Sequence, residues 1–430
     1  MQTQFTLAQL ADPAIRESNA ILRACVHCGF CTATCPTYVV LGDERDSPRG
    51  RIYMIKNMLE SGATADPATV THIDRCLTCL SCMTTCPAGV DYMHLVGHAR
   101  THIAQTYRRP LRDRLLRAAL NWLLPHPERF RSALQLGAIV RPIAGLTYGR
   151  LRSLFDLLPT KANTKPSQTG GVFPPSGAHT GRVALLHGCV QPTLRPQINE
   201  AAIRLLNRRG IEVVIAEGAG CCGALSHQLS EDADAVRFAK ANIDAWTREI
   251  ENGGLDAIIV TASGCGTMIK DYRHLLSRDP AYAEKAKIVS SRATDISEFL
   301  AEIGLGRQVQ PRGLEIAYHS ACSLQHGQRV NEEPRELLRS AGFNVREITE
   351  GHLCCGSAGL YNMLESEISN ELLRRKTDNI ERTGADAIAT GNIGCITQIA
   401  RATDIPIVHT VELLDWATGG PAPSELWRLR

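Results

Sequence analysis

Apolar residues in the first hundred positions recur at helical spacing. Leu7, Leu10, Ile15, Ala20 and Leu22 form one apolar stripe, and that period predicts a helix over 7–24. Ser47 followed by Pro48 sets a second helix start, because proline suits the first helical position. This helix is expected over 49–59, with a stop at Gly62, and a short third one over 70–75. From 100 to 152 the leucines at 111, 115, 116, 120, 123 and 124 keep helical register. Arginines at 100, 108, 109, 112, 114, 117, 129, 131, 141, 150 and 152 face only two acids, Asp113 and Glu128. These are basic amphipathic helices. A solvated face is the ordinary reading of such a run; docking to an acidic partner or anionic lipid is the sharper one.

Residues 161–181, rich in Pro, Gly, Ser and Thr and without periodicity, read as a linker. Short β-rich runs then alternate with helical stretches, and the pattern occurs twice. Arg182-Val183-Ala184-Leu185-Leu186 corresponds to Glu315-Ile316-Ala317-Tyr318, and Ala257-Ile258-Ile259-Val260 to Ala387-Ile388-Ala389-Thr390. Each copy reads strand, cysteine loop, helix, strand, Cys-Cys-Gly, helix, strand, cysteine loop. Such alternation predicts a parallel sheet flanked by helices. It places the cysteines at the carboxyl ends of strands, where open α/β sheets hold ligands.

The chain has 430 residues with 44% hydrophobic and 5% aromatic residues and a net charge of +3. Sparse aromatics and weak charge argue against nucleic acid as a partner. No apolar run approaches the roughly eighteen residues needed to span a bilayer, and residues 1–10 lack the apolar core of a secretion signal. The expected location is cytoplasmic, with any membrane attachment through the surface or a partner.

Cysteine placement changes the picture most. The sixteen cysteines divide eight, four and four along the chain. Cys25, Cys28, Cys31 and Cys35-Pro36 follow C-x2-C-x2-C-x3-C-P, and Cys76, Cys79, Cys82 and Cys86-Pro87 repeat it. That is the ligand run of proteins carrying two [4Fe-4S] clusters, in which the fourth cysteine serves the other cluster. The expected sets are therefore Cys25, Cys28, Cys31 and Cys86, and Cys76, Cys79, Cys82 and Cys35. Structural zinc uses paired C-x2-C units without a third cysteine at the same spacing. Arg49 and Arg51 are candidates to neutralise a cluster, or simply a solvated first turn.

The later cysteines are Cys189, Cys221, Cys222 and Cys265, then Cys322, Cys354, Cys355 and Cys395. Thirty-one residues separate the first cysteine from the pair in both copies. Converging thiolates bind soft metals, so each copy is expected to hold metal: a further iron–sulfur cluster is favoured, with zinc or a redox-active thiol pair as alternatives. His187, His227, His319, His326 and His352 lie near enough in sequence to add ligands or carry protons. Gly218-Ala219-Gly220-Cys221-Cys222-Gly223 imitates a dinucleotide turn, but the second copy, Gly351-His352-Leu353-Cys354-Cys355-Gly356, abandons the glycines. A nucleotide site is not expected there, and no other stretch suggests a flavin site.

These motifs, with Ser47-Pro48-Arg49-Gly50-Arg51-Ile52-Tyr53 and Thr261-Ala262-Ser263-Gly264-Cys265-Gly266, resemble the iron–sulfur subunits of bacterial glycolate oxidases over nearly the full length. The Cys-Cys-Gly repeats resemble those of heterodisulfide reductase and anaerobic glycerol-3-phosphate dehydrogenase C subunits. The reductase motif closes with C-x2-C, whereas Cys265 and Cys395 stand alone, one thiolate fewer per copy. The resemblance implies an electron-transfer subunit that takes electrons from a partner oxidising glycolate (or D-lactate) on FAD and passes them to a quinone or other membrane acceptor. A thiol/disulfide reductase, or the matching subunit of a lactate or glycerol-3-phosphate dehydrogenase, is the alternative. The expected fold is an α+β multidomain chain: an α-helical two-cluster ferredoxin domain at 1–101, a basic helical connector at 102–160, a linker at 161–181, and α/β CCG modules with parallel sheets at 182–310 and 311–430.

Overall fold

The computed structural model describes residues 1–140, 170–308 and 313–429. Arg141, Arg150, Arg152, positions 161–169 of the linker and the boundary at 310/311 lie outside them.

The head is helical. The stripe over 7–24 is broken into α1 (Leu7–Ala11) and α2 (Pro13–Ala24). Pro13 cannot continue a helix from the preceding turn, and Asp12 caps α2 by accepting the Ala14 N–H at 2.8 Å. Next come α3 (Pro36–Leu41), α4 (Pro48–Ser61), α5 (Pro67–Asp74), α6 (Ser81–Thr85) and α7 (Tyr92–Thr106). Ser47 accepts the Gly50 N–H at 2.9 Å, so α4 starts and stops as its sequence signals predict. The head continues past the expected boundary at 101, because α7 runs unbroken to Thr106. Leu22, Ile55, Leu59, Ile73, Leu95 and Ile103 form its core.

Then follow α8 (Leu111–Leu123) and α9 (Pro127–Val140). Their inner faces bury Leu120, Leu124, Phe130 and Leu134 against Leu229 of the first module and Leu360 and Leu364 of the second. Each such side chain contributes roughly 1.5–3 kcal/mol when fully buried. Apolar packing therefore fixes this hairpin across the seam between the modules.

The first sheet has β1 (Gly171–Phe173), β2 (Gly181–Leu185), β3 (Ile211–Ile215), β4 (Ala257–Val260) and β5 (Ala293–Asp295), in the order β1-β3-β2-β4-β5. β1 pairs antiparallel with β3, Gly171 opposite Ile215, and every other pairing in this sheet is parallel. β1 lies in the stretch read as linker; three residues are too few to show a period, and β3 supplies the edge that orders them. The second sheet is fully parallel: β6 (Glu315–Tyr318), β7 (Asn344–Glu347), β8 (Ala387–Thr390) and β9 (Ile407–His409), in the order β7-β6-β8-β9. The short β5 and β9 add a fourth parallel strand that the repeat pattern did not reveal.

The two modules superpose residue for residue at the start. Leu185 lies opposite Ile259 and Tyr318 opposite Ala389. One step on, the Leu186 N–H donates to the Ile259 carbonyl at 2.9 Å, and the His319 N–H to the Ala389 carbonyl at 2.8 Å. Leu186 and His319 are thus equivalent positions. Between modules, His409 Nε2 donates to the Thr261 carbonyl at 2.8 Å while its Nδ1 accepts from the Val411 N–H at 3.1 Å. Burial keeps this imidazole neutral and lowers its pKa to about 4.

The head docks on both modules. Leu77 and Cys79 pack with Cys354, Tyr361, Ile368 and Leu372 of the second. Thr84 Oγ1 lies 2.8 Å from His326 Nδ1. Against the first module, His94 sits between Asp91 at 2.6 Å and Asp271 at 2.9 Å, stacked on His274 with ring centroids 3.5 Å apart. Burial opposes the His94 charge, but the hydrogen bonds it donates to Asp271 and Asp91 outweigh it and push its pKa up to about 10. A pKa raised above the unfolded value of about 6.5 stabilises fully below that value and loses its effect as pH rises toward the folded one. A charged hydrogen bond contributes roughly 1.5–3 kcal/mol. Replacing His94 by Gln should therefore lower the melting temperature most near pH 6 (about the unfolded pKa) and progressively less toward pH 10; a pH-independent difference in anaerobic melts would refute this clamp.

Candidate metal centres

The two head loops share a backbone pattern. His27 and Gly29 have φ of 56° and 88°, and Thr78 and Leu80 have 52° and 64°. Left-handed residues spaced two apart in a loop can turn amide N–H groups toward one concavity, a shape used by many iron–sulfur sites. For Leu80 that conformation costs roughly 1–2 kcal/mol, which the surrounding fold must offset.

The fourth cysteine of each run crosses to the other loop. Cys25, Cys28, Cys31 and Cys86 line one small cavity with Pro48 and Arg49, and Cys82 lines it as well. Cys82 in turn interacts with Cys79, Cys76 and Cys35. The structure brings together the sets expected from spacing.

Arg49 and Arg51 divide their roles. Arg49 lies over the first loop, pairing with Glu44 at 2.7 Å; a Cβ at Gly29 would meet its Nη1 at 2.6 Å. Arg51 is 1% exposed and donates to the His72 carbonyl at 2.6 Å, Thr37 Oγ1 at 3.0 Å and Asp46 Oδ1 at 3.2 Å, with Cys35 Sγ at 3.8 Å. Burial works against its charge, yet Cys76, Tyr92, Cys35 and Asp46 together hold it above the ordinary arginine value. The solvated-turn reading thus fails for Arg51. Arg100, which spacing did not single out, holds the second loop through Thr78 Oγ1 at 2.7 Å and the Cys76 carbonyl at 2.6 Å.

In the modules the cysteines separated by sequence do converge. Cys189, Cys221, Cys222 and Cys265 make successive sulfur contacts. Cys322 Sγ lies 3.7 Å from Cys354 Sγ, and Cys354, Cys355 and Cys395 continue the chain. Cys265 and Cys395 stand not in loops but in the first turns of helices Ser263–Lys270 and Ile393–Ile399. The glycine of each Cys-Cys-Gly is left-handed, φ 86° at Gly223 and 87° at Gly356. A Cβ there would meet the carbonyl oxygen of Ala235 at 2.9 Å or of Ser369 at 2.5 Å. Only glycine lets the strand-end loop turn this close to the next helix. Gly220 donates its N–H to Asn242 Oδ1 at 2.8 Å, so the dinucleotide-like turn is packed on protein.

Of the five candidate histidines, His227 pairs with Asp232 at 2.9 Å and His326 contacts Thr84 and the His352 carbonyl. Among the described residues, only His319 joins two cysteines, Cys355 and Cys395, with the three ligand atoms within 4.8 Å.

The donor chemistry fits iron–sulfur groups at the head sites. Burial first, then neighbouring thiols, push Cys79 and Cys82 well above the ordinary thiol range. The Cys189 thiol is raised by its hydrogen bond with Cys221 and by burial. Packed thiolates cannot all ionise in a dry site unless a cationic centre lies among them. Two further features escaped spacing arguments. Cys79 interacts directly with Cys354 and Cys322, so the second head set adjoins the second module's set. A cavity of about 930 Å³ spans both module sets, with Cys189, Cys222, Cys355 and Cys395 on its floor and Leu120 and Phe130 on its roof. Among the described residues no helix is long and apolar enough to cross a membrane.

Comparison with known proteins accords with these centres. A 4Fe-4S dicluster domain model matches residues 21–90, and a cysteine-rich domain model matches 183–270 and 316–400. The glycolate oxidase iron–sulfur subunit of Escherichia coli (strain K12) is 42% identical over 97% of this chain and 99% of its own. The probable glycolate oxidase iron–sulfur subunit of Bacillus subtilis (strain 168) is 33% identical over 94% of this chain and 96% of its own. Lactate utilization protein A of Bacillus subtilis (strain 168) is 27% identical over 54% of this chain and 99% of its own. A crystal structure of a hypothetical protein from Helicobacter pylori shares the fold, with a TM-score of 0.54 at 10% identity over 98% of this chain and 74% of that one. This chain belongs to the family of glycolate oxidase iron–sulfur subunits.

Proposed function

We propose that this chain conducts electrons from a flavin-bearing partner that oxidises glycolate to glyoxylate, with FAD on that partner, to a membrane quinone. The observation that carries the reading is the succession of cysteine sets from the head into the second module, joined where Cys79 meets Cys354. Cys25, Cys28, Cys31 and Cys86 would hold one [4Fe-4S] cluster and Cys76, Cys79, Cys82 and Cys35 the other. Cys189, Cys221, Cys222 and Cys265, and Cys322, Cys354, Cys355 and Cys395, would hold further iron–sulfur groups. Such groups exchange single electrons at potentials set by burial and hydrogen bonding. Arg51 and Arg100 place positive charge beside the second head set and favour its reduced state; Arg49 lies beside the first.

Entry is assigned to the first head set. Cys28 is exposed, and Val26, Phe30 and Tyr53 stand more than half exposed around it, an apolar patch of the kind that marks a docking site. Exit is assigned to the cavity between the modules, whose volume lies within the range of small-molecule sites. A quinone bound there would take two electrons, one at a time, and two protons to leave as hydroquinone. The roof hairpin suits delivery from a bilayer. Leu111, Leu115 and Trp122 are at least 60% exposed on α8, flanked by the exposed Arg108, Arg112 and Arg114. An apolar stripe rimmed by arginines suits the interface of an anionic membrane, and it supports the reading that this chain attaches to the cytoplasmic face of the cell membrane. A lactate-oxidising partner is the second reading, favoured by the likeness to lactate utilization protein A.

Glycolate added without oxygen to the assembled complex should bleach the visible iron–sulfur absorption, and should not do so with this chain alone; bleaching by lactate only would favour the second reading. Cys86→Ala should remove about four irons, one cubane's worth, and abolish the paramagnetic signal of the set with Cys25, Cys28 and Cys31. Loss of the other signal instead would overturn the crossed assignment. On vesicles with anionic lipid, Leu111→Asp/Leu115→Asp/Trp122→Asp should weaken cosedimentation at least tenfold, about the loss expected from three apolar anchors; unchanged binding that persists at high salt would exclude α8 as the membrane face.

A further inference from the structure

His319 is 1% exposed; neither ring nitrogen has a nitrogen or oxygen partner, and the ring meets the Cys395 thiol. A buried polar group left so is costly. Its backbone is fixed by the β6–β8 ladder through the Ala389 carbonyl, and its ring faces Cys355 Sγ and Cys395 Sγ, the three ligand atoms within 4.8 Å of one another. Cys395 Sγ also receives Asn392 Nδ2 at 3.5 Å. The equivalent position in the first module is Leu186, 3% exposed and without a donor atom. The two cysteine sets match in number and order, but one of them has a fifth donor at hand.

We propose that His319 is an iron ligand, so that the second module holds its iron–sulfur group with four thiolates and one imidazole while the first uses thiolates alone. Ligation satisfies the ring nitrogen that the protein leaves unpartnered. Imidazole is neutral where thiolate is anionic, and histidine-ligated iron is reduced more readily. The second module is also the one that Cys79 touches. The asymmetry therefore makes the site next to the head the one that draws electrons out of it.

The inference rests on iron being bound in the second module, and the experiment separates the two claims. Full-length protein is purified anaerobically with 15N-labelled and unlabelled histidine, reduced with dithionite and examined by pulsed paramagnetic resonance. Iron is counted in wild type, Cys395→Ser, His319→Leu and His319→Gln. The expected result is a strong, contact-type nitrogen coupling that changes with the label and disappears in both His319 variants, while both head signals persist. His319→Leu copies the residue of the first module, and the labelled wild type alone decides the matter if neither variant folds. A coupling that is absent, weak and purely dipolar, or retained in the variants overturns ligation by His319. An iron count that does not fall in Cys395→Ser overturns the reading of the site as well.

Discussion

Everything in this structure answers one electrostatic problem: sixteen thiols are gathered into four sets, all but Cys28 buried or half-buried, where water screens their charges poorly. In a dry site thiolates repel each other and resist forming, so the sets are stable as ligands only around cationic centres. The fold contributes the rest of the compensation. Inward-facing amides line the head loops, Arg51 is buried against Cys35 and supported by Asp46, and Lys376 lies at 2% exposure near Cys354 and Cys355. A buried arginine paired with a buried aspartate is a poor device for stability alone. Here the pair makes sense because Arg51 serves a second negative group across the shared guanidinium.

The same constraint explains the architecture of the modules. A parallel sheet delivers every strand end to one edge, so cysteines far apart in sequence meet without special loops. The close turn after each Cys-Cys pair is possible only at glycine, at Gly223 and Gly356. Duplication then gives two such edges, and the roof of α8 and α9 closes them over one cavity. Under the function proposed above, two sets on one cavity would let two one-electron carriers serve a two-electron acceptor.

How much of this was legible beforehand depends on the range of the interaction. The head sites follow from local spacing, because three cysteines at x2 intervals and a fourth at x3 leave few geometries. The repeat was visible because Cys189 and Cys322 stand at equal distances from their Cys-Cys-Gly pairs. β1, β5 and β9 were invisible because three residues cannot show a period and owe their form to neighbouring strands. Arg51 and Arg49, two residues apart on one helix, could not be ranked from sequence; full burial of Arg51 and half-burial of Arg49 come from packing against α5 and the Asp46 turn. His319 was one of five candidates, and only the register of β6 on β8 separates it from His227, His326 and His352. Contacts between units, such as Cys79 with Cys354, leave no periodic trace at all.

In the proposed function, the junction at Cys79 also gives the molecule its direction. A conductor with identical ends would pass electrons either way according to supply. Here the first head set stands at the surface beneath Val26 and Phe30, the second is enclosed by Arg51 and Arg100, and the next lies under Leu77 and Tyr361 in a dry contact. Each step inward removes water and adds fixed charge, and fixed charge is what sets potential in the absence of solvent. The first module is the exception: Cys189, Cys222 and Cys265 line the cavity that both modules share.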